Sequence, residues 1–194
     1  MTLIKTGLLN GIAVLVRVLT LLGLNKVLAV YVGPAGYAVV GQFQNAITMF
    51  TALASGAFSN GVVKYTAEHQ DDEAQQHRVW RTAGALILVM TLVAGVLIAL
   101  FSRTLAHVFL EDAAQADVFV WFAAGLLLYA FNLLLLAILN GKKDVPAFVG
   151  ANIAGSLLSL LLVYVLVLQS GLKGALIGFA LYQSFAFFVT LGIC

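Results

Sequence analysis

The sequence is short of charged residues and of cysteine. Only 9% of its 194 residues are charged and 62% are apolar, whereas about 25% of the residues of an ordinary soluble domain are charged. With a mean hydropathy of +1.06, the apolar residues cannot all be buried in one small core, so much of the surface must face lipid. These proportions exclude a soluble enzyme, a disordered tail and a secreted disulfide scaffold. The single cysteine, Cys194, cannot form a disulfide within the chain.

Several kinds of site lack the residues that they need. Ten Lys and Arg against eight Asp and Glu leave a net charge of +2, without the basic stripe of a nucleic-acid-binding protein, so no nucleic-acid partner is expected. The three histidines lie in polar segments without the spacing of metal ligands. No nucleophile has a base at a suitable distance. The sequence therefore predicts neither an enzyme nor a bound metal or other cofactor.

Long apolar runs separated by short polar segments make up most of the chain. At about 20 residues a span, the chain has room for about six transmembrane helices, and a lipid-exposed backbone must satisfy its hydrogen bonds within helices. We predict an all-α integral membrane protein, a single six-helix lobe over residues 1–194. The predicted spans are residues 8–30, 37–63, 82–101, 118–139, 147–168 and 175–194.

The cations of the connecting segments are distributed unequally between the two sides of the membrane. Counted by alternate sides, the two groups are Lys5, Lys64, Arg78, Arg81, Lys142 and Lys143, against Arg103 and Lys173. The positive-inside rule then predicts a multi-pass protein with its N-terminus in the cytoplasm. The first apolar run is too long for a cleaved signal peptide and contains Arg17, so we expect it to remain as a span. Because Cys194 ends the chain inside an apolar run, we expect the chain to be part of a longer protein.

Two cations lie within the first predicted span. Arg17, near its middle, costs about 2.5–3.5 kcal/mol on insertion scales, so its presence requires a polar environment or a function. At 100° a residue, Lys26 points to the opposite side of an ideal helix, and it is near enough to the end of the span to reach the headgroups. We predict that Arg17 lines an interior cavity, and Lys26 is a second candidate if the helix bends.

Polar side chains recur at helical spacing in the other spans. The second span carries Gln44, Thr48, Thr51, Ser55 and Ser59, with Asn45 beside the first of them. The fifth span carries Asn152, Ser156 and Ser159, and Asn132 and Gln183 lie deep in the fourth and sixth. Along a wet cavity such groups replace water around a polar ligand. Alternatively, the hydroxyls bond to the carbonyl four residues earlier and help helices to pack. Together these residues favour a hydrated interior.

Acidic residues are missing from the middle of every predicted span. All eight lie in connecting segments or at span edges, so no carboxylate is available there for a cationic drug, a sodium ion or a transported proton. A positive interior without acids suits an anion. The predicted substrate-binding residues are Arg17, Lys26, Gln44, Asn45, Thr48, Thr51 and Asn152.

Three segments in the first part of the chain resemble the N-terminal half of the Wzx-type polysaccharide translocases. They are the cationic first helix, from Lys5 to its end at Asn25–Val30, the turn Gly33-Pro34-Ala35-Gly36, and the stretch Asn60–Glu68. Beyond them the likeness is in hydropathy and loop placement. This family includes the flippases of O-antigen and enterobacterial common antigen and belongs to the multidrug/oligosaccharidyl-lipid/polysaccharide exporter superfamily.

The resemblance implies a transporter with two six-helix lobes around a cationic central cavity, in the bacterial inner membrane. Its implied substrate is an undecaprenyl-pyrophosphate-linked oligosaccharide, flipped from the cytoplasmic to the periplasmic face during lipopolysaccharide or common-antigen assembly. The implied partners are membrane lipid, polysaccharide polymerase and assembly proteins, and either a second lobe or a second copy of this one. Arg17 and Lys26 would hold the pyrophosphate, and Gln44, Asn45, Thr48 and Asn152 would meet sugar hydroxyls.

Three other interpretations remain open. A multidrug or ion antiporter of the same superfamily is disfavoured by the missing intramembrane acid. A non-transporting membrane scaffold for glycan assembly needs no polar interior, so water accessibility along residues 44–59 separates it from a transporter. A membrane glycosyltransferase would need paired acids at a membrane face, for which Asp71-Asp72 is the candidate.

Overall fold

The computed structural model is helical nearly throughout. It describes the backbone of residues 3–194 and the side chains of residues 7–54 and 58–194. The helices are α1 (Leu3–Tyr31), α2 (Gly33–Thr51), α3 (Ala57–Glu68), α4 (Glu73–Leu100), α5 (Ser102–Leu110), α6 (Ala116–Gly141) and α7 (Val145–Ile193). A π-helical turn, Ala52–Gly56, joins α2 to α3, and a 3₁₀ turn, Ala113–Gln115, precedes α6. The predicted all-α class is confirmed.

The helices divide the apolar sequence differently from the six predicted spans. Within the described residues, four helices are long and apolar enough to cross a membrane, and a fifth if α2 and α3 form one bent span. Helices α1, α4 and α6 correspond to the first, third and fourth predicted spans. The fifth and sixth lie together in α7. Its 49 residues would extend over about 74 Å if the helix were straight, more than twice the thickness of a bilayer core.

Helix α7 folds back on itself at Gly171, between α7a (residues 145–170) and α7b (residues 172–193). Gly171 has φ 55° and ψ −128°, a conformation that glycine adopts far more readily than other residues. The halves run antiparallel and touch at their backbones. A Cβ on Gly174 would fall on the Leu166 carbonyl group, and one on Gly178 would lie 3.0 Å from Val163 Cα. The small residues therefore allow the close approach of the two halves.

The connection after α4 is partly helical, where the span pattern predicts only a loop over residues 102–117. Helix α5 buries Ser102, Ala106 and Leu110, three residues that are spaced by four and so lie on one face. The helix ends at Leu110, and the next residue, Glu111, has a φ of 55°, in the left-handed region. The segment therefore packs against the bundle.

The bundle has a basic end and an opposite end. The basic end holds the α3–α4 and α6–α7 turns, where Lys142 Nζ lies 4.8 Å from the centre of the Trp80 ring. Trp80 Nε1 in turn donates a hydrogen bond of 2.9 Å to the Thr66 hydroxyl. The opposite end holds the α1–α2 turn, α5 and the break in α7, and Lys173 forms an ion pair with Asp117 there. The chain thus places its clustered cations away from α5.

The larger apolar cluster fills the half of the bundle toward the opposite end. Phe43 lies at its centre, with its ring centroid 5.3 Å from that of Phe119 and 6.4 Å from that of Phe122, in edge-to-face arrangements. Leu24 and Phe179 belong to the same cluster. These two residues also line the cavity described next, so the cluster closes that cavity on one side.

Candidate functional site

A cavity of about 600 Å³ lies among α1, α2, α6 and both halves of α7. Its volume falls in the range of about 300–1,000 Å³ that is typical of a site for one small ligand. The polar and charged residues of its wall are Asn10, Arg17, Thr20, Gln44, Thr48, Tyr129, Asn132, Asn152, Ser156, Ser159, Tyr182 and Gln183. In an otherwise apolar bundle, this concentration marks the cavity as the candidate site.

Arg17 supplies the positive charge of the cavity. It lies halfway along α1, and its side chain is exposed instead of packed in the core. In the described part of the chain, the one ion pair joins Lys173 to Asp117, so no carboxylate neutralises the guanidinium. No Asp or Glu is found among the described residues of the wall. A cation without a counter-ion on the wall of a cavity attracts an anion.

The helical periodicity of α1 decides which of its two cations faces the cavity. The α1 residues of the wall are Asn10, Ala13, Val14, Arg17, Thr20, Leu21 and Leu24, which are spaced as one face of a helix. Lys26 falls outside this face. With Tyr31 and Tyr164 it lines a separate, mostly apolar groove of about 540 Å³ between α1 and α7a. Arg17 and Lys26 therefore face different spaces.

The polar stripe of the second predicted span reaches the cavity only in part. Gln44 and Thr48 lie on the wall, and the Thr48 hydroxyl donates a 2.8 Å hydrogen bond to the Gln44 carbonyl. Asn45 is exposed outside the cavity, and Thr51 is buried. The π-helical turn that follows shifts the register of the helix, and Ser59, the described stripe residue beyond it, does not line the cavity. The side chain of Ser55 lies outside the described residues.

Helix α7a presents a row of polar groups that are also bonded within their own helix. Asn152 Nδ2 donates to the Phe148 carbonyl at 2.8 Å, and the Ser156 hydroxyl donates to the Asn152 carbonyl at 2.8 Å. Ser159 donates to the Ser156 carbonyl at 2.9 Å. A serine that donates in this way keeps its acceptor lone pairs. These residues therefore do both things that were considered for them: they bond within their own helix and they line the cavity.

Asn132 and Gln183 meet across the interface of α6 and α7b. Asn132 Nδ2 donates to Gln183 Oε1 at 2.8 Å, although the residues are 51 positions apart in sequence. Gln183 Nε2 donates to the Tyr182 hydroxyl at 3.1 Å. The cavity thus has a neutral polar wall in addition to the charged wall of α1.

Sequence reasoning missed Asn10, Thr20, Tyr129 and Tyr182 as wall residues. The first two could have been found from their spacing to Arg17, because residues three and seven positions away share a helix face. The tyrosines carry no comparable signal, since both lie in strongly apolar spans where an aromatic ring is ordinary packing. Their position follows only from how α6 and α7b pack.

Comparisons with known proteins agree on one kind of relative. A family model described as a polysaccharide biosynthesis protein matches residues 3–194. The lipid III flippases of Escherichia coli (strain K12) and Shigella flexneri are each 31% identical to this chain over 181 residues. The match covers 93% of this chain and 44% of each relative, so the chain spans less than half of the length of these relatives. No solved structure matches the chain.

Proposed function

The chain belongs to the polysaccharide biosynthesis protein family, and from this premise we propose that it forms one lobe of a flippase for a lipid-linked saccharide in the bacterial inner membrane. Its relatives are named as flippases, which are transporters and not enzymes. The substrate that we propose is an undecaprenyl-pyrophosphate-linked oligosaccharide, the repeat unit of an O-antigen or of enterobacterial common antigen. A lipid-linked saccharide combines an anionic head, neutral sugars and an apolar tail, and the cavity can be compared with each part.

We propose six membrane crossings with the N-terminus in the cytoplasm. Two antiparallel halves of α7 supply two crossings, α2 with α3 supplies one, and α1, α4 and α6 supply the others. The basic end then lies in the cytoplasm, as the positive-inside rule favours. In this orientation the larger apolar cluster closes the lobe on the periplasmic side.

The observation that carries the proposal is the unpaired Arg17 in a cavity whose described wall contains no acid. A guanidinium binds a pyrophosphate through short, charge-assisted hydrogen bonds, often two at once. Gln44, Thr48 and Asn152 offer neutral donors and acceptors on the same wall, which suit sugar hydroxyls. The polyprenyl tail stays in the lipid, because its transfer into a polar cavity would lose hydrophobic stabilisation.

The proposal also assigns roles to three residues that do not line the cavity, namely Lys26, Asn45 and Thr51. Lys26 lies about 13 Å further along α1 than Arg17, in the groove toward the opposite end, where we propose that it meets the anion as it leaves the cavity. Asn45 is exposed next to Gln44 and is a proposed contact for sugars outside the cavity. Thr51 is buried and bonded to its own helix at 2.7 Å, so it would act by holding α2.

A second lobe is the partner that the proposal requires. The chain covers 44% of each lipid III flippase, and alternating access needs a second body against which a lobe can move. We propose that either a further lobe or a second copy completes the pathway. The flipped saccharide would then pass to polymerase or assembly proteins at the periplasmic face.

Cysteine accessibility tests whether the cavity is wet, as a transporter requires and a scaffold does not. In a Cys194→Ser background, Thr48→Cys and Ser156→Cys place thiols on the wall, and Ala85→Cys places one on the exposed surface of α4. We expect a membrane-impermeant, hydrophilic maleimide to label the two wall positions and not Ala85→Cys, because lipid excludes the reagent there. Equal protection of all three positions would support a non-transporting scaffold.

The electrical driving force separates the proposed flippase from an ion antiporter. With the cytoplasm negative, outward movement of an anionic head is favoured by about 2.3 kcal/mol per charge per 100 mV. We expect flipping in proteoliposomes to respond to the membrane potential and to persist when the pH gradient is collapsed at constant voltage. Transport that stops on collapse of the pH gradient alone would instead indicate proton exchange.

A further inference from the structure

The chain of hydrogen bonds from Asn132 through Gln183 to Tyr182 has two free ends. Each member donates to the next, at 2.8 Å and 3.1 Å. Asn132 Oδ1, at the start, is buried and has no hydrogen-bond partner, and the residue is only 1% exposed. Because the Tyr182 hydroxyl accepts the last bond, its own proton remains available to donate. This row of three hydrogen-bonded side chains therefore has a free acceptor at one end and a free donor at the other.

The unpaired Asn132 oxygen requires an explanation. Leaving a buried amide oxygen without a partner costs about 1–3 kcal/mol, and buried polar atoms in native proteins are nearly always paired with protein, water or ligand. All three residues line the cavity, and Gln183 and Tyr182 are partly exposed, so a bound molecule can reach the Tyr182 end of the row. The orphaned acceptor and the available Tyr182 hydroxyl on the cavity wall together point to a partner that binds in the cavity.

The packing of α6 against α7b holds this chain in place. Ser184 Oγ donates to the Gly125 carbonyl at 2.8 Å, which joins the two helices close to Gln183. A Cβ on Gly125 would lie 2.5 Å from Ser184 Oγ, so the helices are in near-backbone contact at this point. Groups fixed on rigid, packed helices lose little entropy when they bind a ligand.

The chemistry of the chain selects a neutral group that both donates and accepts hydrogen bonds. Its three members carry no charge, so an anion would prefer the Arg17 side of the cavity, and the described wall has no acid to hold a cation. Sugar hydroxyls, and the secondary amide of an acetamido sugar, both donate and accept. Arg17 lines the same cavity as these three residues, so the charged and the neutral groups face one space.

We propose that Asn132, Gln183 and Tyr182 form a second, neutral subsite that recognises the sugar attached directly to the anionic head held by Arg17. This inference rests on the proposed function, since it requires a saccharide joined to an anion. A cavity of about 600 Å³ has the size of a site for one small ligand. The subsite therefore binds the sugar that is attached to the anionic headgroup, while the remaining sugars extend out of the cavity.

Binding of two lipids tests the subsite: a polyprenyl diphosphate, and the same lipid with one acetamido hexose attached. Four forms of the protein are compared in detergent. They are the wild type, the double variant Asn132→Leu/Gln183→Met, Arg17→Gln and Thr91→Val. The double variant replaces both amides with apolar groups of similar size, so neither amide is left without the other, and the Tyr182 hydroxyl loses only the bond that it accepts from Gln183. Thr91 is the matched control, because it is buried and bonded to its own helix at 2.6 Å outside the cavity.

We expect wild type and Thr91→Val to bind the sugar-bearing lipid about tenfold more tightly than the bare diphosphate, the effect of one or two neutral hydrogen bonds. In the double variant this preference should fall to about one, with affinity for the bare diphosphate unchanged. Equal weakening of both lipids by the double variant, or no preference in wild type, would overturn the inference. Unchanged binding of both lipids by Arg17→Gln would instead overturn the proposed function.

A milder variant keeps the test decisive if the double variant does not fold. Tyr182→Phe removes only the terminal hydroxyl and keeps the ring that packs at an edge-to-face angle on Phe179, with centroids 6.3 Å apart. We expect it to lower the preference for the sugar-bearing lipid by about threefold, with no change for the bare diphosphate. An unchanged preference in a folded Tyr182→Phe protein would count against the subsite.

Discussion

Charge reversal at Arg17 is expected to abolish flipping, with a decrease of about 100-fold or more in Arg17→Glu. Each charge-assisted hydrogen bond that is lost costs about 1.5–3 kcal/mol, and two such bonds exceed the 2.7 kcal/mol or so that a 100-fold change requires. The new carboxylate would also repel the pyrophosphate across the short distance that separates groups within one cavity. The measurement is the rate of flipping of a lipid diphosphate saccharide in proteoliposomes that contain this lobe together with its second lobe, or glycan export in cells that depend on this chain.

Two further substitutions separate the loss of the anion site from a general loss of charge or fold. Arg17→Lys keeps the charge and loses the bidentate geometry, so we expect it to retain transport within about tenfold of wild type. Arg103→Gln removes a cation from the exposed surface of α5, away from the cavity, and should transport normally. Normal transport by Arg17→Glu, at wild-type abundance in the membrane, would show that the cavity does not hold the anion.

The position of Arg17 illustrates what the sequence alone can predict. A cation in the middle of an apolar helix is costly, and this cost is visible without a structure, so the sequence predicts that the residue faces a cavity. The rest of the α1 wall follows from the same helix face, as Asn10 and Thr20 show. Lys26 also behaves as the helical period of an unbent α1 requires, since it faces a separate groove. Properties of a single helix are therefore predictable.

Contacts between helices are harder to predict from one sequence. Asn132 and Gln183 are polar residues deep in apolar spans, and that much could be inferred, but their direct hydrogen bond joins positions 51 residues apart. No local pattern encodes this pairing, because it depends on how α6 and α7b pack. The π-helical turn at Ala52–Gly56 is a similar case. It shifts the helical register for the residues after it, while Thr51, just before it, is already buried away from the cavity wall.

The connection between the last two predicted spans is shorter in the structure than the sequence predicts. Residues 169–174 contain Gly, Ser and Lys, which are typical of a connecting loop, whereas the structure reverses the chain at Gly171 with helix on both sides. Gly174 and Gly178 explain why so little loop is needed, since the backbones of α7a and α7b can touch. Helix α5 could have been found from the sequence, because Ser102, Ala106 and Leu110 are spaced as one helix face.

Enlarging Gly174 is expected to destabilise the lobe more than any other single methyl addition in α7. In Gly174→Ala the new Cβ would fall on the Leu166 carbonyl group of α7a, and a backbone atom cannot rotate away as a flexible side chain does. Overpacking against side chains costs about 1–3 kcal/mol, so we expect a loss of at least about 3 kcal/mol here, with a larger loss in Gly174→Val. The measurement is thermal unfolding of the purified protein in detergent.

The same substitution at another glycine of α7 is the control, because there we expect no loss of stability. A Cβ on Gly150, in α7a, meets nothing within 4 Å, so Gly150→Ala should leave stability unchanged or raise it by up to about 1 kcal/mol through helix propensity. To make room for a side chain at position 174, α7b must move away from α7a. This movement would carry Gln183 and Tyr182 away from the cavity wall. We therefore expect any folded Gly174→Ala protein to bind the substrate lipid more weakly as well. Unfolding at the wild-type temperature in both variants would show that the halves of α7 are not packed at their backbones.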